Sequence, residues 1–534
     1  MNDLKVRSNN PVAVQNLTLE NRLDIIGEGL RKKYLSRLTE MEIAPVGELL
    51  PLEEDLIDNV RLFHITEMVY GKGESVSDKF TTVFNTLSTY NATVFIVMES
   101  DGNQSNFYIG VRNDEMDPSK KRSTVTLGDT LKNALIGHFP GVKIENVDRD
   151  EIAVLSDKIR VQQNMTSVSV VGNTRNAKEQ NNEQFAQGLE KLALAMQGRQ
   201  YIALIVAENQ SPQAIQVMRK EYQDMYTKLS PLQKVQTSDS TSNSTSSSKS
   251  FAEMSGKQKA AMIGGAVASL VGVIGGGAIG FSMGQNVGLA GGSMFGGQVA
   301  GQLNGFINSL APNEQISNSF TTSKSTTLEN KTITDLMQLL DESIKRTNDF
   351  DTYGIWNVAG YFVSDDMSAA EIAASNYRSL MNGDNSGREV SAINSWRKND
   401  LSIGGNYNDL TTYLSRFVHP KFIYGNDGQY NVYTDASTII SGKELGLHLG
   451  LPRATISGLP VIQHAEFGKE VITYHLFSKQ KELNPDERIT LGRVFDLGQI
   501  TNKKVELVNK SLNMHTFITG STGSGKSNTV YQML

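Results

Sequence analysis

The sequence predicts an α/β protein with a helical hairpin inserted into it. Three observations carry that class. Helix-period stripes alternate with short apolar runs over much of the chain. An uncharged stretch carries a row of glycines spaced by four. Near the C-terminus, "GSTGSGKS" lies between a short apolar run and a helical pattern.

A chain of 534 residues is long enough for about three ordinary domains and a large core. It has 51 basic and 57 acidic residues, a net charge of −6 and no basic tail, so bulk electrostatics give no argument for a nucleic-acid partner. Cysteine is absent, which excludes disulfides, thiolate zinc sites and iron–sulfur clusters and fits a reducing compartment. The first thirty residues hold no apolar core of signal-peptide length. The expected location is therefore cytoplasmic.

From residue 75 the elements follow in order. Phe80, Val83, Phe84 and Leu87 mark one helix face. "ATVFIVMES", "DGNQS" and "NFYIGVRN" read as strand, turn and strand. Phe185, Leu189, Leu192 and Met196 line a second helix, and the apolar run "YIALIVAE" is a central strand. Ser211 and Pro212 open a helix lined by Ile215, Met218, Tyr222 and Met225.

Two Ser/Thr-rich runs follow, at 237–250 and 317–327; each could be a disordered linker, but the surrounding order favours a pair of strands. A helix through Ile333, Leu336, Met337, Leu340 and Ile344 comes next, then the strand "GIWNVAGYFVS". With the intervening insertion removed, 201–364 reads β-α-β-β-α-β, an α+β, ferredoxin-like order. A further helix begins at a capping box of Ser368 and Glu371 and ends near Gly383. From about 405 the chain turns β-rich.

Residues 260–313 carry no charge, and 15 of them are glycine. Gly272, Gly276, Gly280, Gly284, Gly288, Gly292 and Gly296 form one row, extended by Gly264, Ala268 and Ala300. Each glycine costs an isolated helix about 1 kcal/mol, so the row needs a packing partner. Small residues at this spacing let helix backbones approach closely. The expected element is a glycine-zipper hairpin, broken near Gln285 and Asn286. It either contacts a membrane, as two helices or a re-entrant element, or packs as a soluble oligomer-forming hairpin. The "GGGAIG" within it matches a dinucleotide pattern only because glycine is so dense there.

"GSTGSGKS" matches GxxxxGK[ST] from Gly520 to Ser527. Thr516, Phe517, Ile518 and Thr519 read as a strand before it, and "SNTVYQML" as a helix after it. Such a loop curls so that successive amides face phosphate oxygens at a helix N-terminus. The expected nucleotide-binding residues are Gly520, Ser521, Thr522, Gly523, Ser524, Gly525, Lys526 and Ser527. Lys526 would reach the β- and γ-phosphates as the catalytic cation, and the Ser527 hydroxyl would ligate Mg²⁺. Hydrolysis also needs an acid for Mg²⁺, a water-positioning group and an arginine finger, which such folds place after the first helix. The chain stops about nine residues into that helix, so it reads as a C-terminally truncated fragment, inactive alone. The seven histidines (His64, His138, His419, His448, His464, His475, His515) show no metal-ligand spacing, and packing is the expected role of each.

"ITLGRVFDLGQ" followed by "KKVELVNKSLNMHTFITGSTGSGKSNT" resembles the approach to the motor domain of the HerA/FtsK superfamily. "GLPVIQHAEFGKEV" resembles the conjugation and type IV secretion ATPases of the same superfamily. The resemblance is specific over about 489–534 and diffuse before that. It implies a RecA-like domain, ATP and Mg²⁺, a homo-hexameric ring, and translocation of DNA or, in secretion relatives, of protein. It adds Asn528 to the loop residues. The domains expected are an N-terminal segment (1–74), a mixed α/β domain (75–250 plus 315–400), the insertion (260–313) and the start of a P-loop ATPase domain (405–534). The main reading is the ATP-binding N-terminal portion of a HerA-like DNA-translocating ATPase, with a nuclease or secretion-system protein as the expected partner. The alternatives are a membrane-associated conjugation or secretion ATPase and a nucleotide-gated assembly protein.

Overall fold

The computed structural model describes residues 23, 27–46, 56–71, 75–115, 119, 121–173, 187–230, 234–237, 326–329, 331–383, 386–426, 431–464, 485–496, 499–512 and 517–533. The fold is mixed α/β and built on antiparallel sheets. A short strand β1 (Glu42–Ile43) is followed by β2 (Val60–Gly71), α1 (Val76–Asn85), β3 (Ala92–Asp101), β4 (Ser105–Asn113), α2 (Thr124–His138) and β5 (Lys143–Asn146). These last six elements run β-α-β-β-α-β. Their strands lie side by side as β5-β2-β4-β3, each antiparallel to its neighbour.

The same plan is repeated. After α3 (Arg149–Arg160) come β6 (Asn164–Ser169), α4 (Leu189–Ala195) and β7 (Gln200–Gln210). An excursion follows through α5 (Pro212–Leu229), β8 (Lys234–Thr237), β9 (Thr326–Glu329) and α6 (Lys331–Tyr353). The plan resumes with β10 (Ile355–Ser364), α7 (Met367–Met381) and β11 (Ala392–Arg397). Here the order is β11-β6-β10-β7, again all antiparallel. The second strand of each set then pairs with the other, β3 with β7, from Thr93↔Glu208 to Asp101↔Gln200. Two sets of four strands thus meet back to back across one seam.

This arrangement revises the expected frame. The succession β7, α5, β8, β9, α6, β10 is present, but β8 and β9 pair only with each other among the described residues. The reason is steric: β3 already occupies the flank of β7 where that hairpin would have to lie. The edges of the two Ser/Thr-rich runs do meet, Thr237 opposite Thr326. The rest of both runs, and the glycine row at 260–313, lie outside the described residues. No helix among the described residues is long and apolar enough to cross a membrane.

Helices cover both faces of the sheet. On one side Phe80 and Phe84 of α1, Leu127 and Leu131 of α2, Leu189 and Leu192 of α4 and Ala370 and Tyr377 of α7 share one core. On the other, Ile152 of α3, Met225 of α5 and Leu336 of α6 pack against Phe95, Val97 and Leu204. Strands buried on both faces lose the apolar–polar alternation, and all ten residues of β10 are buried. Each large apolar side chain taken fully out of water contributes about 1.5–3 kcal/mol. Gly360 lets α7 sit close on β10, since a Cβ there would lie 2.7 Å from the Tyr377 ring. Helix α7 is capped by Asp366, whose carboxylate accepts from Ser368 N at 2.9 Å, two residues before the expected capping serine.

The described residues between 407 and 464 are tied to the same body. Helix α8 (Tyr407–Ser415) buries Leu410 and Leu414 in the core beside α3. Strands β12 (Phe422–Asn426) and β13 (Asn431–Thr434) form a small sheet with β1. Strand β14 (Thr438–Ser441) pairs with β10 and leads into α9 (Gly442–His448). Strand β15 (Val461–His464) lies parallel to β2. So β2, grouped above with the N-terminal segment, is a strand of the main sheet. Helix α8, strands β14 and β15 and helix α9, grouped above with the P-loop domain, pack on that sheet too.

Candidate functional site

The glycine loop follows a two-stranded hairpin, β16 (Arg488–Asp496) with β17 (Gln499–Val508). Asn509 closes the hairpin by donating from Nδ2 to the carbonyl of Asp486 at 2.8 Å. A single helical turn, Asn509–Leu512, comes next. Phe517, Ile518 and Thr519 are irregular backbone rather than the strand expected there. They have no neighbouring strand to pair with among the described residues, and Phe517 is 89% exposed. Thr516 and His515 lie outside the described residues.

From Gly520 the loop takes a curled form. Gly523 and Gly525 both have φ of 83°, in the left-handed region that a Cβ disfavours. Ser524 N donates to Ser521 O at 3.2 Å, tightening the turn. A Cβ on Gly520 would collide with the Ser524 hydroxyl, so the first glycine makes room for the curl. Helix α10 (Lys526–Met533) then begins, with Thr529 N donating to Gly525 O at 3.0 Å. The first amides of that helix have no intrahelical acceptor and are left for another partner.

Lys526 bends back over the loop. Its Nζ donates to the carbonyl oxygens of Gly520 at 2.7 Å and Ser521 at 2.6 Å. One ammonium thus spans the mouth of the curl, where a phosphate oxygen would compete for its protons. Ser521, Thr522, Gly523, Ser524, Gly525, Ser527 and Asn528 are exposed around it. No carboxylate hydrogen-bonds or pairs with the loop among the described residues. The curled backbone, the free helix start, the ammonium and the neighbouring Ser527 hydroxyl fit a nucleotide phosphate with Mg²⁺.

Two of the described histidines, His448 and His419, behave as packing groups. His448 is fully buried, accepts from Gly172 N through Nε2 at 3.0 Å and meets Tyr377 Oη with Nδ1 at 2.7 Å. His419 donates from Nε2 to the Asn357 carbonyl at 3.1 Å and accepts from Tyr361 Oη at 2.7 Å. Burial pushes His448 down to about 3 and His419 to about 4, so both rings stay neutral. No group of His, Asp or Glu able to hold a metal ion occurs among the described residues. His475 lies outside them.

Sequence reasoning missed one constellation entirely. Arg112, Asp114, Glu208, Lys421 and Asp435 gather on one face of the main sheet, with Lys421 Nζ 2.6 Å from Asp435 Oδ2. They come from four separate segments with no shared spacing. A charged residue inside an apolar strand run, Glu208 at the end of "YIALIVAE", was the available signal. Against protein-family models and against curated proteins alike, the chain shows no match.

Proposed function

We propose that the chain binds a nucleoside triphosphate with Mg²⁺ through Gly520–Ser527 and is the ATP-binding N-terminal portion of a HerA-like hexameric DNA-translocating ATPase. The observation that carries the nucleotide is Lys526 bridging two loop carbonyls at the start of α10. The ring, its DNA substrate and the RecA-like fold rest on the resemblance of 489–534 alone. Lys526 would orient the terminal phosphates, Ser527 would hold the Mg²⁺, and Asn528 would flank the loop. When bound, the metal would offset phosphate charge. Binding of a fluorescent ATP analogue in the presence of Mg²⁺, competed by ATP, tests the reading. No saturable binding overturns it.

A second reading, a membrane-associated conjugation or secretion ATPase, draws on the β8–β9 pair. Thr237 and Thr326 are opposite each other, so the chain leaves for residues 238–325 and returns at one place. An uncharged segment so placed would contact a membrane as a hairpin rather than as a single crossing. Carbonate extraction of membranes from expressing cells separates the two readings. Complete release into the soluble fraction excludes insertion.

A further inference from the structure

The turn after α8 is strained in a specific way. Phe417 has φ of 58°, which a bulky residue rarely adopts and which costs about 1–2 kcal/mol. Its ring repays this by stacking on Phe95 of β3, with centroids 4.1 Å apart and planes 7° from parallel. The turn carries Arg416, His419 and Lys421 onto one row of the sheet. That row crosses four strands in register: Arg112 of β4, Thr93 of β3, Glu208 of β7 and Asn357 of β10.

The charges in this cluster pair unevenly. Lys421 is committed to Asp435, which also accepts from Ser437 N at 2.8 Å. Arg112 faces Asp114 at 3.4 Å, and Thr93 Oγ1 donates to Asp114 at 2.5 Å. Glu208 makes no ion pair among the described residues and takes a hydrogen bond from Gln210 Nε2 at 3.3 Å. Its register partner Asn357 is 3% exposed and has an Oδ1 with no donor among the described residues. Directly opposed side chains on a sheet are neighbours, and a protonated carboxyl would supply a donor there.

We propose that residues 416–426 and 431–435 are latched to the sheet by this cluster through a proton held on Glu208, and that loss of the proton loosens the latch. Ionised, Glu208 would place a further negative charge beside Asp114 and Asp435 and compete with Asp435 for Lys421. The link that anchors the segment from its far side would weaken. Glu208 is half-buried, and loss of hydration, the largest cause, pushes it up to about 7; Asp114 and Asp435 add to this and Lys421 and Arg112 partly oppose it. A carboxyl raised in the fold contributes stability that is complete below its ordinary value and lost as pH rises through about 7. The release therefore falls in the neutral range.

Hydrogen exchange of the full chain, followed by mass spectrometry from about pH 5.5 to about pH 8.5 and corrected for intrinsic rates, tests the latch. Protection across 416–426 and 431–436 should fall roughly tenfold relative to β3 as pH rises, and Glu208→Gln should hold it constant. Equal pH dependence in both proteins, or none in the wild type, overturns the proposal. Should Glu208→Gln fail to fold, infrared titration of glutamate-labelled wild type decides. A protonated, half-buried glutamate titrating at about 7 supports the latch, and full ionisation by about pH 6 overturns it.

Discussion

Lys526 donates from Nζ to the Gly520 carbonyl at 2.7 Å, so the cation closes the loop proposed to hold the nucleotide phosphates. Replacing it removes both the closure and the charge offered to phosphate. A hydrogen bond to a charged group contributes about 1.5–3 kcal/mol, which is roughly a ten- to hundredfold change in affinity. Lys526→Ala is expected to weaken binding of the ATP analogue by that factor. Because the loop stands apart from the sheet core, the unfolding midpoint should not move. Fluorescence titration and thermal melting of the same sample check both halves of the statement.

Gly525 separates backbone conformation from packing. Its φ of 83° is unfavourable for any residue with a Cβ, yet a Cβ there would meet nothing within 4 Å. Gly525→Ala should therefore act through the backbone alone, at about 1–2 kcal/mol. The expected outcome is weaker nucleotide binding, by roughly tenfold, with a normal melting profile.

Gly110 is the opposite case. A Cβ there would run into the Phe95 ring, and Phe95 is held in its stack with Phe417. Gly110→Ala should destabilise the sheet domain by about 1–3 kcal/mol, the usual cost of overpacking. Urea unfolding should show a lower midpoint with an unchanged slope.

Lys421 and Asp435 form a buried pair, 2.6 Å apart. Burial opposes the charge of each, but Lys421 and His419 bring Asp435 well below the usual carboxylate range, and Asp435 and Glu208 keep Lys421 above the usual lysine value. Lys421→Met strands the carboxylate in the interior. The expected loss is about 3–5 kcal/mol, read from the urea midpoint at neutral pH.

His419 and His448 are held neutral, at about 4 and about 3. Below the ordinary histidine value of about 6.5 the unfolded chain takes up protons that the folded chain refuses. Their contribution to stability is complete above that value and is lost as pH falls toward about 4. Carbon NMR of labelled histidine should show both rings still neutral at about pH 5. Protonated rings there would contradict the buried hydrogen-bond assignments.

The curl of the glycine loop was legible because its pattern is contiguous: eight neighbouring residues hold it whole. Helix faces such as Phe80, Val83 and Phe84 were legible because periodicity is local, and all three are buried. The frame of the sheet was not. Strand β6, "NMTSVS", is polar in composition yet buried along its whole length, so no apolar pattern announces it. Without it, β7 looked like a first strand instead of a second one. The Glu208 cluster was illegible for a related reason, since its members span Thr93 to Asp435 and meet only through strand register.

The two halves of the sheet also imply an order of assembly. In the first, β3 and β4 are joined by a tight turn at Gly102–Gln104, where Asp101 Oδ1 accepts from the amides of Asn103 and Gln104 at 2.7 and 2.8 Å. In the second, the equivalent neighbours β7 and β10 are separated by residues 211–354. Closing a long loop costs little more stability than closing a short one, but non-local pairings form slowly. During synthesis the first half would be complete before β10 had left the ribosome. Its edge strand β3 would then stand as a template on which β7 pairs, so a released chain ending near residue 210 would expose β7 on a sheet still missing its other neighbour.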